Sequence, residues 1–280
     1  MLVCVVFVVG AVAIDLVAMR EKLLDGTSDP SDIRRGLGGA AYRIFSNINA
    51  SRKLITALAG DPISRSAREV LEADGDAAIQ RVRDRDSGPP LHLAPLESGS
   101  LKLGASDFRI VGPSPSASFA IDHIGEAGPH DYVLLDAGLP PAALAELARR
   151  YSRSARVVFE PVSVEKASRH AEALRDLFLM TPTREEMSVL TAGTCQEYRR
   201  ARRIAHLLVT SDREGARLYD DEGEEAFAPT SVIDTSDATG AGELLLALLV
   251  SGLHAGEPLR DAVRQAISGV EQKLQTGDLP

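Results

Sequence analysis

Tryptophan is absent from this 280-residue chain and aromatic residues make up only 4% of it, so any core must be filled by Val, Leu, Ile and Ala. Cysteine is nearly absent too: Cys4 and Cys195 share no CxxC spacing, which argues against a disulfide framework or a cysteine zinc site and fits a reducing cytoplasm. The histidines are scattered, with no HExxH or paired-ligand spacing. Positive charge is in deficit, 31 Lys and Arg against 40 Asp and Glu for a net charge of −9, which argues against a nucleic-acid or anionic-membrane binder. There is no G-x-x-x-x-G-K-[ST] and no serine-hydrolase elbow, so P-loop and Ser-His-acid chemistry are set aside. Nor is any apolar run long enough to span a bilayer. The longest, Met1 to Ile14, falls short of the ~20 residues a membrane helix needs and lacks a basic segment before it.

What remains is an ordinary globular composition, 44% hydrophobic and 25% charged, long enough for one large α/β domain or two smaller ones. Val3, Val5, Val6, Val8 and Val9 are β-branched, and a continuous apolar run of this kind predicts a parallel strand covered on both faces, the alternative being a cleaved or anchoring segment. A polar stretch from Asp25 to Gly39 follows, then a helix-like segment from Ala40 to Leu58 with Ile44, Ile48 and Ile55 near helical spacing. Ser64 to Ala73 reads as a second helix stopped by Asp74-Gly75. Residues 84–118, rich in Pro, Ser and Gly, read as loops and weak strands in a small excursion from the main body. From Tyr132 onward, short apolar runs at Tyr132–Leu135, Arg156–Phe159, Leu177–Met180 and His206–Thr210 alternate with helical periods, the clearest opening at Pro140-Pro141. Such alternation predicts parallel strands joined by right-handed crossovers, with helices on both faces. Two helices, Glu243 to Gly252 and Leu259 to Lys273, close the chain.

The segment most able to carry chemistry is Asp234-Thr-Ser-Asp-Ala-Thr-Gly-Ala-Gly-Glu243, followed at once by an apolar helix. Small residues at Gly240, Ala241 and Gly242 let backbone N–H groups and the positive end of the helix dipole face an anion such as a transferring phosphoryl group. Glu243 at the helix start is placed to accept the proton of an attacking hydroxyl. The alternative is a tight turn with an acidic residue that only favours the dipole. Gly36-Leu-Gly-Gly-Ala-Ala41 fits a dinucleotide pattern, but no buried strand precedes it, so a Rossmann site is set aside.

The ordered set Val9-Gly10 with Asp15, Gly38-Gly39-Ala-Ala, Ala59-Gly60-Asp61, Thr181-Pro-Thr-Arg-Glu-Glu186, Val209-Thr210 with Gly215, and Thr239-Gly-Ala-Gly-Glu243 resembles the PfkB, or ribokinase-like, sugar and nucleoside kinase family over nearly the whole chain. Within it, Val157 to Ala167 and Asp136-Ala-Gly-Leu-Pro140 are most similar to the pseudouridine kinase branch. The resemblance implies a three-layer α/β/α fold over residues 1–280, with a mostly parallel central sheet and a small β-sheet lid drawn from about 16–36 and 88–122. It implies a cytoplasmic ATP- and Mg2+-dependent kinase acting on a small nucleoside or sugar, first of all the 5′-hydroxyl of pseudouridine, with a homodimer through the lid. In that frame Asp15, Gly38, Gly39 and Arg43 hold the substrate. Glu243 is the base, and Gly240, Ala241 and Gly242 supply the anion hole. Thr210, Asp212 and Gly215 bind ATP, Glu186 organises Mg2+ through water, and Asp237 and Thr239 hold a monovalent cation such as K+.

The chain departs from the family pattern at four of these places: the base is Glu243 rather than Asp, the family's Asn near the sugar is Arg43, the Asn of N-x-x-E is Thr183, and the Gly after V-T-x is Asp212. Arg43 also suits an anionic substrate. The alternatives to a pseudouridine kinase are a catalytically silent binding protein of the same fold and a kinase for ribose, adenosine or another sugar.

Overall fold

The computed structural model describes residues 4–22, 30–82, 91–98, 100–101, 105–107, 115–170, 175–211, 214–229 and 240–276. The chain runs β1 (Val6–Val9), β2 (Ala13–Arg20), β3 (Asp32–Gly38), α1 (Ala40–Asn47), β4 (Arg52–Leu58), α2 (Pro62–Asp74), β5 (Ala77–Arg81), β6 (Leu91–Glu97), β7 (Ser100–Leu101) and β8 (Ala105–Asp107). It continues through α3 (Ala117–Ile124), β9 (Tyr132–Asp136), α4 (Pro141–Tyr151), β10 (Arg156–Glu160), α5 (Val164–His170), β11 (Leu179–Met180), α6 (Arg184–Leu190) and α7 (Cys195–Arg202). The last elements are β12 (His206–Thr210), β13 (Ala216–Asp220), β14 (Gly223–Phe227), α8 (Ala241–His254) and α9 (Leu259–Thr276).

Nine strands form the main sheet in the order β14-β13-β12-β11-β10-β9-β1-β4-β5, parallel except for the β12-β13-β14 meander at one edge. Alternate residues of β1 show why its sequence is apolar throughout. Val6 and Val8 pack into one hydrophobic cluster, shared with α1, α2, α8 and α9, and Phe7 and Val9 into the other, shared with α3, α4 and α7. This is the three-layer α/β/α arrangement with a mostly parallel sheet. The second sheet is smaller, ordered β3-β2-β6-β7 with β8 also on β6.

Three expectations need correction. The apolar N-terminal run is two strands rather than one, because β2 turns away after Val12 into the second sheet, so Asp15 lies within β2, paired with Gly36 and His92, and not at the end of β1. The segment Ala40 to Leu58 is a helix only to Asn47. Ile48 turns to extended backbone, and Leu54–Leu58 then form a strand buried between β1 and β5, where a short all-apolar run has no helical or strand period to distinguish it. The 88–122 excursion also extends past the second sheet, since Ala117, Ala120 and Ile124 of α3 are buried against the main body beside α4.

Candidate active site

A cavity of about 680 Å³ lies where the carboxyl ends of β1, β9 and β10 meet the second sheet. That is where open α/β sheets bind ligands, and the volume suits a small molecule. Its wall brings together Asp15, Gly39 and Arg43 with Glu243, residues far apart in sequence, and adds His92, Asp136, Val162 and Lys166. A second groove, of about 880 Å³, lies among Arg149, Arg150, Arg153 and Arg175 near the amino ends of β10 and β11, and holds none of the expected site residues.

Asp15 and Arg43 form a buried ion pair, Nη2 to Oδ2 at 2.8 Å, with side chains 10% and 16% exposed. The other carboxylate oxygen, Oδ1, is buried with no hydrogen-bond partner among the described residues, and Asp15 as a whole lines the cavity. Close backbone approach shapes this corner. A Cβ on Gly38 would meet Asp15 Oδ2 at 2.0 Å, and one on Gly39 would meet Ala11 O at 2.7 Å. Gly39, at φ +85, also sits in backbone that only glycine adopts readily. Gly39→Ala is therefore expected to destabilise the fold by about 1–3 kcal/mol and to lose substrate binding, measured by urea unfolding and by titration.

On the far side Glu243 stands in the first turn of α8, whose N-cap Gly240, at φ +90, offers no side-chain oxygen to the helix N–H groups. Ala241 and Gly242 open that turn, with Gly242 exposed, so the expected anion hole and base share one helix end. Two further carboxylates act on the same region. Burial holds the Glu160 carboxyl well above its ordinary range, with Glu186 and Glu243 pushing it the same way, and Glu186 is raised by burial and by Glu243. A cation among these groups would relieve their repulsion. Among the described residues, however, no three His, Cys, Asp or Glu side chains are placed to ligate a metal together. Glu186 is also committed locally: with Thr183 it forms a capping box at the start of α6, its Oε2 accepting the Thr183 N–H at 2.8 Å.

Glu160 makes a pH test possible. Thr181 Oγ1 donates to its Oε2 at 2.6 Å and the Val162 N–H to its Oε1 at 3.2 Å, and an amide can accept the Val162 N–H through its oxygen and donate to the Thr181 hydroxyl oxygen through its nitrogen, without a buried charge. Because its folded pKa is raised, the stability it contributes is complete below the ordinary carboxyl pKa and is lost as pH rises through the folded value. Glu160→Gln is therefore expected to melt above the natural protein at neutral pH, with the gap closing as pH falls; a pH-independent gap would contradict this.

Of the residues expected to bind ATP, Thr210 ends β12 with its N–H donating to Pro182 O at 2.9 Å. Gly215, at φ +89, closes the turn into β13, where Ser211 N–H donates to its carbonyl at 2.8 Å. Asp212, Asp237 and Thr239 lie outside the described residues. Sequence reasoning gave no site role to Asp136, Glu160, His92 or Lys166. Asp136, Glu160 and Lys166 stood within the stretches that carried the family resemblance, and that was their only signal.

Residues 106–268 match the pfkB family of carbohydrate kinases. The chain belongs to this family, phosphotransferases with an alcohol group as acceptor. Among curated relatives of this pfkB chain, the bifunctional protein HldE of Halorhodospira halophila is 33% identical over 261 residues, covering 86% of this chain and 52% of that protein. The chain thus spans about half the length of that relative. Ribokinase from Thermotoga maritima superposes with a TM-score of 0.79 at 16% identity, covering 99% of this chain and 96% of that one. Phosphofructokinase-2 from Escherichia coli, in complex with potassium, gives 0.74 at 16%, covering 97% and 92%. These likenesses establish the ribokinase-like fold. They lend no support to the pseudouridine kinase branch.

Proposed function

We propose that this pfkB chain transfers the γ-phosphoryl group of ATP to a hydroxyl of a sugar or nucleoside bound in the cavity between the two sheets. The observation that carries this reading is that Asp15, whose Oδ1 has no partner among the described residues, and Glu243 line one cavity: one carboxylate to receive a substrate hydroxyl, the other to take the proton of the attacking one. As the new O–P bond forms and the bond to ADP breaks, that proton passes to Glu243, and the N–H groups at the start of α8 face the charge on the phosphoryl oxygens. A hydrated Mg2+ held through Glu186 supplies charge neutralisation when bound. Asp237 and Thr239 are proposed for a monovalent cation, Thr210, Asp212 and Gly215 for ATP, and the second sheet as a lid that excludes water.

Two substrate classes follow from different residues. The Val157–Ala167 stretch suggests the 5′-hydroxyl of pseudouridine, whereas Arg43 in the cavity wall suits a sugar bearing an anionic group. A cytoplasmic location and a homodimer through the second sheet, where Ile33 and Leu93 are exposed, belong to the same proposal. Among the described residues no helix is long and apolar enough to cross a membrane. The test is ADP release with Mg-ATP over pseudouridine, ribose, adenosine and a sugar phosphate. Turnover on one of them is expected; calorimetric binding of nucleotide and sugar without any turnover would instead identify a silent binding protein.

A further inference from the structure

The last residue of β9, Asp136, lines the cavity yet is 1% exposed, and it takes no part in the transfer chemistry. Its Oδ2 accepts the N–H of Ala11 at 2.9 Å and of Ala41 at 3.2 Å, and its Oδ1 accepts the N–H of Gly138 at 2.6 Å. Those amides belong to three segments: the crossing from β1 to β2, which leads to Asp15; the first turn of α1, which carries Arg43; and the turn into α4. The chain around the carboxylate is cut to fit it. A Cβ on Gly10 would lie 2.3 Å from Asp136 Cγ, and one on Gly138 would lie 2.7 Å from Oδ1. Both oxygens are engaged by backbone, unlike Oδ1 of Asp15, so Asp136 has little left to offer a substrate.

We propose that Asp136 is a positioning residue of the sugar site, whose single carboxylate fixes the β1–β2 crossing against the start of α1 and thereby sets the place of the Asp15–Arg43 pair. The inference rests on the sugar-kinase reading and deepens it. A buried carboxylate with three charge-assisted N–H bonds holds these segments more firmly than a neutral side chain can. A shift of about 1 Å in a substrate-holding group is enough to cost on the order of a hundredfold in rate. The effect should fall on the sugar side, because among the described residues the hydrogen bonds of Asp136 go to Ala11, Ala41 and Gly138 and none reaches α6, β12 or α8.

The test compares the natural protein with Asp136→Asn and Asp136→Ala by steady-state kinetics on whichever sugar the panel identifies, and by amide hydrogen exchange without ligand. The KM for sugar should rise about tenfold for Asn and further for Ala, with the KM for ATP within about twofold of natural. Exchange should quicken in residues 11–15 and 40–43 while α8 and β12 keep their protection. If the Asp136 variants do not fold, Gly138→Ala, which crowds the same carboxylate, should show the same split. Unchanged sugar KM, equal rises in both KM values, or exchange that quickens everywhere alike would overturn the proposal. Should the natural protein phosphorylate no sugar, the kinase reading fails, and the exchange pattern alone still decides whether Asp136 holds these segments.

Discussion

Glu243→Gln is expected to lower kcat by on the order of 10²–10⁴-fold and to leave both KM values close to natural. The amide nearly matches the carboxylate in shape but cannot take a proton, so it should bind substrates and fail at the transfer. Position supports this role. Glu243 is in the first turn of α8, lines the cavity with Asp15, and stands beside amides that no N-cap side chain satisfies. Glu243→Asp tests reach rather than basicity, since it withdraws the carboxylate by one C–C bond, about 1.5 Å. In a site built around glutamate that retreat should cost up to about a hundredfold. A Gln variant as active as the natural protein would remove Glu243 from the mechanism.

Asp15→Ala is expected to be the most damaging change on the substrate side. It leaves Arg43 largely buried without its partner, which costs about 3 kcal/mol, and removes the acceptor for the substrate hydroxyl. The two losses can be separated. Asp15→Ala combined with Arg43→Met replaces the pair by apolar groups and should recover most of the stability while sugar binding stays lost. Urea unfolding and calorimetric titration of the three proteins measure the two quantities independently. Recovery of sugar binding in the double variant would show that Asp15 serves only to neutralise Arg43.

Much of the fold was legible because local signals agreed with the long-range arrangement. The Pro140-Pro141 start of α4, the strands from Tyr132 to Thr210 and the two closing helices each carried a period or a boundary residue that the packed structure also requires. The misreadings come from elements lacking such a signal. Leu54–Leu58 is buried on both faces and so has no alternation. Residues Asp32–Gly36 of β3 are exposed at an edge, where a strand needs no apolar face, and the segment reads as a polar loop.

The site was legible where glycines and a helix start coincide, at Gly38-Gly39 and at Gly240–Glu243, since backbone that must approach closely or turn left-handed restricts the residue type. It was not legible where a residue's meaning depends on a distant partner. Arg43 stands out in the sequence as a departure from the family's Asn, but its pairing with Asp15 emerges only when β2 places that carboxylate against it. Glu160 acquires its raised pKa from burial and from Glu186 and Glu243, none of which a linear pattern displays. The substrate is not legible in the sequence for the same reason: it is set by the cavity wall, to which six separate segments contribute, from His92 alone to the five lining residues between Val162 and Arg169.

The most direct test of the central claim is phosphoryl transfer itself, followed by coupled ADP release with Mg-ATP and the sugar panel, on the natural protein and Glu243→Asp side by side. The account predicts turnover by the natural chain on at least one sugar, with the Asp variant slower. Turnover by the Asp variant alone would contradict it, showing intact binding sites in a chain whose own glutamate does not serve as the base.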